Sequence, residues 1–256
     1  MRIFQISKAI IYKEFTVTIR YKIQLVSGFV FLLVTLIGLV LGGNQLLGNA
    51  ENDGTALSLL SGFLLFFLTN LCIRNPSGEC STATNEGNME TLSMFSIPLY
   101  TYLSLQTFFK TLANIGIFIG VGIVASLLLG INFMSIDMLV LIPFYFLSLL
   151  SGIGLGLILA GMQLLYKKVD YIISLTTIGI SLALASSPQT NSFFIEIIPM
   201  KAFVTMFKDI SVDKNSPQIM SMLAILVSSL FFYTLGVLVF NTMLKKAKIK
   251  GCLGGY

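Results

Sequence analysis

The chain has 256 residues, of which 55% are hydrophobic and only 11% are charged. Soluble domains carry about 25% charged residues, so a water-soluble core cannot accommodate this excess of apolar side chains. The net charge of +5 does not indicate a nucleic-acid-binding surface, because the basic residues lie in clusters beside apolar runs and not in one stripe. These properties predict an integral membrane protein without a separate soluble domain.

The sequence contains no histidine, which excludes Ser-His and Cys-His nucleophile pairs and His-ligated zinc. The three cysteines, Cys72, Cys80 and Cys252, match no zinc-binding spacing. We predict no disulfide, because the topology derived below places all three at or near the reducing cytoplasmic side. No metal ligand and no catalytic residue is predicted in this chain.

Residues 1–22 predict an amphipathic helix that lies in the membrane interface. At 100° per residue, Lys13 and Arg20 fall on a polar stripe, whereas Ile10 and Val17 fall on the adjacent apolar face. Such a helix can serve as a membrane-surface anchor or can dock a cytoplasmic partner. Glu14 lies on the apolar side of this helix. A carboxylate there does not strengthen a membrane anchor but can pair with a protein partner, so Glu14 favours docking.

Six apolar runs have about the 20 residues that a helix needs to cross a bilayer. The fold class is therefore predicted as all-α integral membrane, with a transmembrane domain over residues 23–244 and a basic tail over 245–256. The predicted spans are residues 24–42, 56–73, 112–130, 138–165, 171–187 and 219–244.

The distribution of lysine and arginine predicts that both termini are cytoplasmic. With the N-terminus inside, 13 of the 16 basic residues lie on the cytoplasmic side, and only Lys201, Lys208 and Lys214 lie outside. This split agrees with the positive-inside rule for an even number of spans. A topology without the fifth run would move the C-terminal lysines outside.

None of the six runs carries a charged residue in its middle. A charge there costs about 2.5–3.5 kcal/mol on insertion scales and is usually kept for ion relays or substrate pairing. The chain also has no phosphate-binding G-x-x-x-x-G-K-[ST] motif, and its glycine-rich stretch, residues 151–156, lies inside an apolar run. Ion coupling through buried carboxylates is disfavoured, and no nucleotide site is predicted.

Small residues follow one another on one face of the fourth span. Gly152, Gly156 and Ala160 are spaced four apart, which lets another helix backbone approach closely. We interpret this face as packing within the chain, with contact to a second membrane subunit as the alternative. Pro143 lies early in the same span and is expected to bend it.

The segment between the fifth and sixth spans, residues 188–217, combines aromatic and aliphatic side chains with polar neighbours. We interpret it as one or two short amphipathic helices at the outer interface. A lid over an exit path is the functional alternative.

The segment 74–111 is the longest polar stretch predicted on the inner side. Its residues 86–92, Glu-Gly-Asn-Met-Glu-Thr-Leu, precede Pro98 and Lys110 and resemble the E-x-G-T-L-E-x-L … P signature of ABC-2-type permeases, the membrane subunits of bacterial ABC exporters. The amphipathic N-terminal helix, the proline-containing residues 197–202 and the basic tail are also similar to that family. Asn88 stands where the family usually has threonine, and Pro98 lies slightly later than in the family pattern.

The resemblance implies six-span subunits that work in pairs and dock on two ATP-binding subunits. ATP and Mg²⁺ would then bind to those partners, and this chain would be a transport subunit and not an enzyme. The second permease would be another copy or a paralogue. Carried over to this sequence, the resemblance implies that the candidate residues for coupling to the ATP-binding subunit are Lys13, Glu14, Glu86, Met89 and Glu90.

The expected function is therefore export by alternating access across the bacterial cell membrane. The apolar, aromatic and methionine-containing spans suit an amphipathic or lipid-like substrate, such as a drug, an antimicrobial peptide or a lipid-linked molecule. The sequence identifies no substrate-binding residues. An ion-coupled carrier or channel is the alternative, which accounts for the topology alone.

Overall fold

The computed structural model describes residues 2–46, 53–94, 97–129, 138–166, 169–185, 201–211 and 219–251. Within these ranges the chain forms helices and turns and no strand, which confirms the all-α prediction. The helices are α1 (Arg2–Arg20), α2 (Lys22–Leu46), α3 (Asp53–Asn85), α4 (Met89–Ser93), α5 (Leu99–Leu129), α6 (Met138–Tyr166), α7 (Asp170–Ala185), α8 (Lys201–Ser211) and α9 (Ile219–Ile249).

In the described part of the chain, the three helices α5, α6 and α9 are long and apolar enough to cross a membrane. They include the third predicted span up to residue 129 and the whole of the fourth and sixth. Of two shorter apolar stretches, Leu25–Gly38 in α2 falls within the first predicted span, and Asp170–Ile180 in α7 overlaps the fifth. The helices are thus compatible with a membrane protein, whereas the six spans and the side on which the termini lie stay predictions.

The helices continue well beyond the apolar runs. Helix α3 extends to Asn85 with Pro76 inside it, and α5 begins at Leu99, so most of the polar segment 74–111 is helical. Two hydroxyl groups in this segment donate hydrogen bonds to carbonyls of their own helix: Thr84 to Cys80 at 2.7 Å and Thr111 to Thr107 at 2.8 Å. Polar side chains with such local partners do not end a helix.

Helix α6 packs against α9 on one side and against α3 on the other. A Cβ added at Gly154 would collide with the backbone of Phe232, and one added at Gly236 would collide with the backbone of Gly154. A Cβ at Gly156 would lie 2.8 Å from the Cys72 carbonyl oxygen. Two residues correspond to about 200° of helix rotation, so α6 touches two other backbones on nearly opposite sides.

The predicted small-residue face is filled within the chain. Gly152 and Gly156 are buried, and Ala160 is fully buried. Gly156 meets Cys72 and Pro76 of α3, which are the nearest atoms to its added Cβ. This face therefore packs inside the chain, as close approach of helices through small residues requires.

The apolar face of α8 packs into the helical core. Ala202, Phe203, Met206 and Phe207 are buried, and the Phe203 ring lies 5.5 Å from the Tyr145 ring of α6. A short helix thus occurs where an amphipathic segment was predicted, and it contacts α3, α6, α7 and α9. The flanking residues 188–200 and 212–217 of that prediction lie outside the described ranges.

Lys201, which was predicted to lie in an outer loop, is only 2% exposed. Lys201 is the first residue of α8, and it has an interaction partner within the chain.

Candidate functional site

The turn that follows α3 contains the glycine of the family-like signature. Gly87 has a φ of 71°, in the left-handed region that favours glycine. Its amide donates to the Thr84 carbonyl at 3.2 Å, and the Asn88 amide donates to the Ala83 carbonyl at 2.9 Å. These two bonds form a Schellman motif, which ends α3 and reverses the chain into α4.

Met89, the first residue of α4, is buried and packs the turn against the rest of the chain. It is 1% exposed and belongs to a buried group that we call the Met89 cluster. The coupling role of Met89 stays a prediction, and its burial means that it would act by holding the turn in place. The Met89 cluster consists of Cys80, Ala83, Met89, Leu99, Leu103, Ile153, Leu157, Ala160, Leu164, Phe240 and Ala247.

Two carboxylates project from this anchored turn. Glu86 and Glu90 are both exposed, and Glu86 accepts a hydrogen bond of 3.1 Å from the Asn88 side-chain amide. Leu92 is half-buried and packs against the Met89 cluster, so α4 is held on one side. The turn thus presents two negative charges on a fixed backbone.

Helix α1 lies along α5 and contributes one buried face. Ile10 is 4% exposed, and Ser7 and Glu14 are half-buried at helical spacing from it. Glu14 acts electrostatically on the Tyr102 hydroxyl of α5, so its carboxylate lies near that helix. Lys13 is exposed and lies about 60° around the helix from Ile10, at the edge of the buried face.

Helix α1 also keeps an exposed apolar surface. Ile11, Tyr12 and Phe15 are 48%, 73% and 65% exposed. Exposed apolar side chains of this kind suit the membrane interface. Helix α1 thus has one face that is packed against the chain and another that is apolar and exposed.

An ion pair joins α3 to α5 next to the predicted site. The Lys110 Nζ lies 3.3 Å from the Glu79 Oε1, with side chains 36% and 26% exposed. Glu79 also acts on the Tyr102 hydroxyl. Sequence reasoning treated Glu79 as part of a polar loop and missed this pair, because the helical extension of α3 and α5 was not visible in the hydropathy pattern.

The first turns of α5 connect the two predicted contact regions. Leu99 and Leu103 belong to the Met89 cluster, whereas Tyr102 lies near Glu14. Glu14 and Met89, which are far apart in sequence, therefore both lie near the same short stretch of α5. Of the five residues predicted to couple the chain to a partner, Lys13, Glu86 and Glu90 are exposed, Glu14 is half-buried and Met89 is buried.

Several buried polar atoms between α3, α5 and α6 have no hydrogen-bond partner. They are the Asn75 Nδ2, both side-chain polar atoms of Gln106, the Thr107 Oγ1 and the Tyr145 Oη. Nearby, the Cys72 Sγ lies 3.6 Å from the Thr111 Oγ1. Unsatisfied polar groups are costly inside a helix bundle, so these atoms are candidates for binding water or a polar part of a ligand.

Cys72 and Cys80 are free thiols, and Cys252 lies outside the described residues. Burial and the neighbouring Glu79 carboxylate raise the pKa of the Cys80 thiol. Cys80 is therefore held as a neutral thiol and contributes to packing in the Met89 cluster.

Comparison with protein-family models finds no match, and comparison with curated proteins finds no relative.

Proposed function

We propose that this chain is the transmembrane permease subunit of an ATP-driven ABC exporter. It would span the bacterial cell membrane six times with both termini cytoplasmic and would move an amphipathic or lipid-like substrate by alternating access. A separate subunit would bind and hydrolyse ATP with Mg²⁺, and a second permease copy or paralogue would complete the transporter.

The observation that carries this proposal is the anchored turn between α3 and α4. Gly87 fixes its backbone, Met89 holds it on the core, and Glu86 and Glu90 face outward. A rigid, charged turn is suited to transmit a conformational change from a soluble partner, because charged groups at an interface determine the orientation and specificity of binding.

The position of α1 supports the same proposal. Helix α1 packs against α5, and α5 supplies Leu99 and Leu103 to the Met89 cluster. A partner that contacts both α1 and the turn would therefore act on elements that are packed together. The main chain also runs from α1 into α2 with little interruption, since the Tyr21 amide donates to the Val17 carbonyl and the Leu25 amide donates to the Tyr21 carbonyl.

The proposal is tested by co-expression with the ATPase encoded beside this gene, if that neighbour carries Walker motifs. The two chains should co-purify, and the permease should stimulate ATP hydrolysis in proteoliposomes. The double variant Glu86→Lys/Glu90→Lys should lose both properties, because it reverses both exposed charges of the turn. The absence of such a neighbouring gene, or unchanged co-purification and transport in the double variant, would contradict the coupling role.

The matched control reverses two carboxylates elsewhere. Glu51→Lys/Asp53→Lys makes the same change in charge at residues predicted to lie on the opposite side of the membrane. Co-purification and ATPase stimulation should remain at the wild-type level. Met89→Ala provides a second control, since it should lower thermal stability without changing the charge of the surface.

An ion-coupled carrier or channel is the second candidate. It is favoured by the unpartnered buried atoms of Asn75, Gln106, Thr107 and Tyr145, which could contact a hydrated ion or a polar solute. Uptake or efflux in vesicles distinguishes the two candidates. Transport that needs ATP and persists after the ion gradients are dissipated supports the exporter, whereas transport driven by a gradient alone supports the carrier.

A further inference from the structure

A cleft of about 220 Å³ lies between α3 and the first turns of α7. Pockets for drug-sized molecules usually measure about 300–1,000 Å³, so this cleft suits a small polar group better than a whole substrate. Its walls are Arg74, Ser77, Gly78, Ser81, Asp170 and Ile173.

The cleft holds two opposite charges that do not neutralise each other. Arg74 and Asp170 both line it, yet no ion pair joins them. The Arg74 Nη2 donates a long hydrogen bond of 3.5 Å to the Ser174 Oγ, which leaves most of its donors available. A ligand with only a negative charge would be repelled by Asp170, and one with only a positive charge by Arg74.

The cleft also lies at the boundary between polar and apolar surface. Arg74 directly follows the second predicted span, and Asp170 directly precedes the fifth. Ile173 forms an apolar wall and is 6% exposed. On the same helix, Tyr171, Leu175 and Ile178 form an outward stripe that is 92%, 75% and 61% exposed.

We propose that this cleft binds the head group of a zwitterionic phospholipid with a primary amine, such as phosphatidylethanolamine. The Arg74 guanidinium binds the phosphate, for which its planar donor pattern is suited, and the Asp170 carboxylate accepts hydrogen bonds from the ammonium group. The acyl chains extend from the cleft onto the apolar surface beside it, which begins at Ile173. This inference concerns a bound lipid and does not depend on the exporter proposal.

The test uses the full-length chain in detergent, mixed with dioctanoyl phosphatidylethanolamine, phosphatidylcholine or phosphatidylglycerol. Lipid retention is measured by native mass spectrometry, and the thermal unfolding midpoint is measured in parallel. Phosphatidylethanolamine should be retained best and raise the midpoint most. Phosphatidylcholine has no N–H donor for Asp170 and should bind more weakly, and phosphatidylglycerol lacks the positive charge.

Charge removal and steric filling test the assigned residues separately. Arg74→Gln and Asp170→Asn should each lower the apparent affinity for phosphatidylethanolamine about tenfold, as the loss of one charge-assisted hydrogen bond predicts. Gly78→Leu should block the head group without changing any charge, because a Cβ at Gly78 meets no atom within 4 Å and leucine favours a helix.

Gly116→Leu on α5 is the matched control for Gly78→Leu, since its added Cβ also meets nothing within 4 Å. Its lipid retention should equal that of the wild type. Equal binding of phosphatidylglycerol and phosphatidylethanolamine, or wild-type retention by Gly78→Leu, would overturn the proposal. The midpoint measured without lipid shows whether each variant is folded, and no outcome depends on the ATPase partner.

Discussion

Gly154 of α6 and Gly236 of α9 face each other so closely that a Cβ on Gly236 would overlap the backbone of Gly154. Neither position has space for a methyl group. Contacts of this kind let helix backbones gain van der Waals packing in a lipid environment, where the hydrophobic effect does not drive helices together.

The substitution Gly236→Ala should therefore lower the free energy of unfolding. The added methyl group must push α6 and α9 apart, and overpacking of this kind costs about 1–3 kcal/mol. Unfolding of the purified chain in mixed micelles by increasing denaturant measures the change. Gly116→Ala is the control, because it should be neutral or should gain up to about 1 kcal/mol from helix propensity. Equal stability of the two variants would contradict the close contact.

At the end of α3, Gly87→Ala should also destabilise the chain. Its φ of 71° costs a residue with a Cβ about 1–2 kcal/mol. Gly87→Asn should cost less, because asparagine tolerates this conformation better. Gly78→Ala should have the opposite sign, since Gly78 lies within α3 with open space around it. The order of the three unfolding midpoints checks this prediction, and Gly87→Ala at or above the wild-type midpoint would contradict it.

The ion pair between Glu79 and Lys110 should contribute a measurable coupling energy. Both side chains are partly exposed, so about 0.5–1 kcal/mol is expected from a double-mutant cycle of Glu79→Gln and Lys110→Met. The exchanged variant Glu79→Lys/Lys110→Glu should recover part of the stability that Glu79→Lys alone loses. An additive cycle would show that the two groups do not interact in solution.

Gln106→Met should leave the stability unchanged or raise it. Neither side-chain polar atom of Gln106 has a hydrogen-bond partner, and replacing an unsatisfied buried amide by an apolar side chain of similar shape removes a desolvation cost. Thr111→Val is the contrast, because the Thr111 hydroxyl donates to Thr107 and contacts Cys72, and its loss should cost about 1 kcal/mol. A clear loss of stability in Gln106→Met would indicate that the amide is satisfied by bound water.

Hydropathy predicted the helical fold, because α5, α6 and α9 contain long apolar runs. It did not predict where α5 begins, at Leu99 and not near residue 112. The residues in between include polar ones, but Gln106 is buried and Lys110 pairs with Glu79, and a hydropathy window does not detect such tertiary packing. The small-residue face with Gly156 was visible from its spacing. Its counterpart Gly154 was not singled out, because its partner Gly236 lies on a distant segment and only the three-dimensional packing reveals the pair.

The candidate site, like the fold, could be predicted only in part from the sequence. Glu86 and Glu90 could be identified from the short signature, and the structure leaves both exposed. The burial of Met89 could not be predicted, because a methionine in a polar stretch gives no sign of the hydrophobic cluster that Leu99, Leu103 and Phe240 supply from other helices.

The two-sided contact of α6 limits how the protein can change shape. Rotation of α6 about its own axis would move Gly154 away from α9. It would also turn a larger side chain of α6 towards α3, where Pro76 and Cys72 lie too close to Gly156 to leave space for one. Sliding along the axis meets the same obstacles. Since packed interfaces switch between discrete arrangements and do not deform continuously, α3, α6 and α9 should move as a single rigid body. Hinges for any transport cycle are then expected at its borders, where α1, α2 and α7 make fewer contacts.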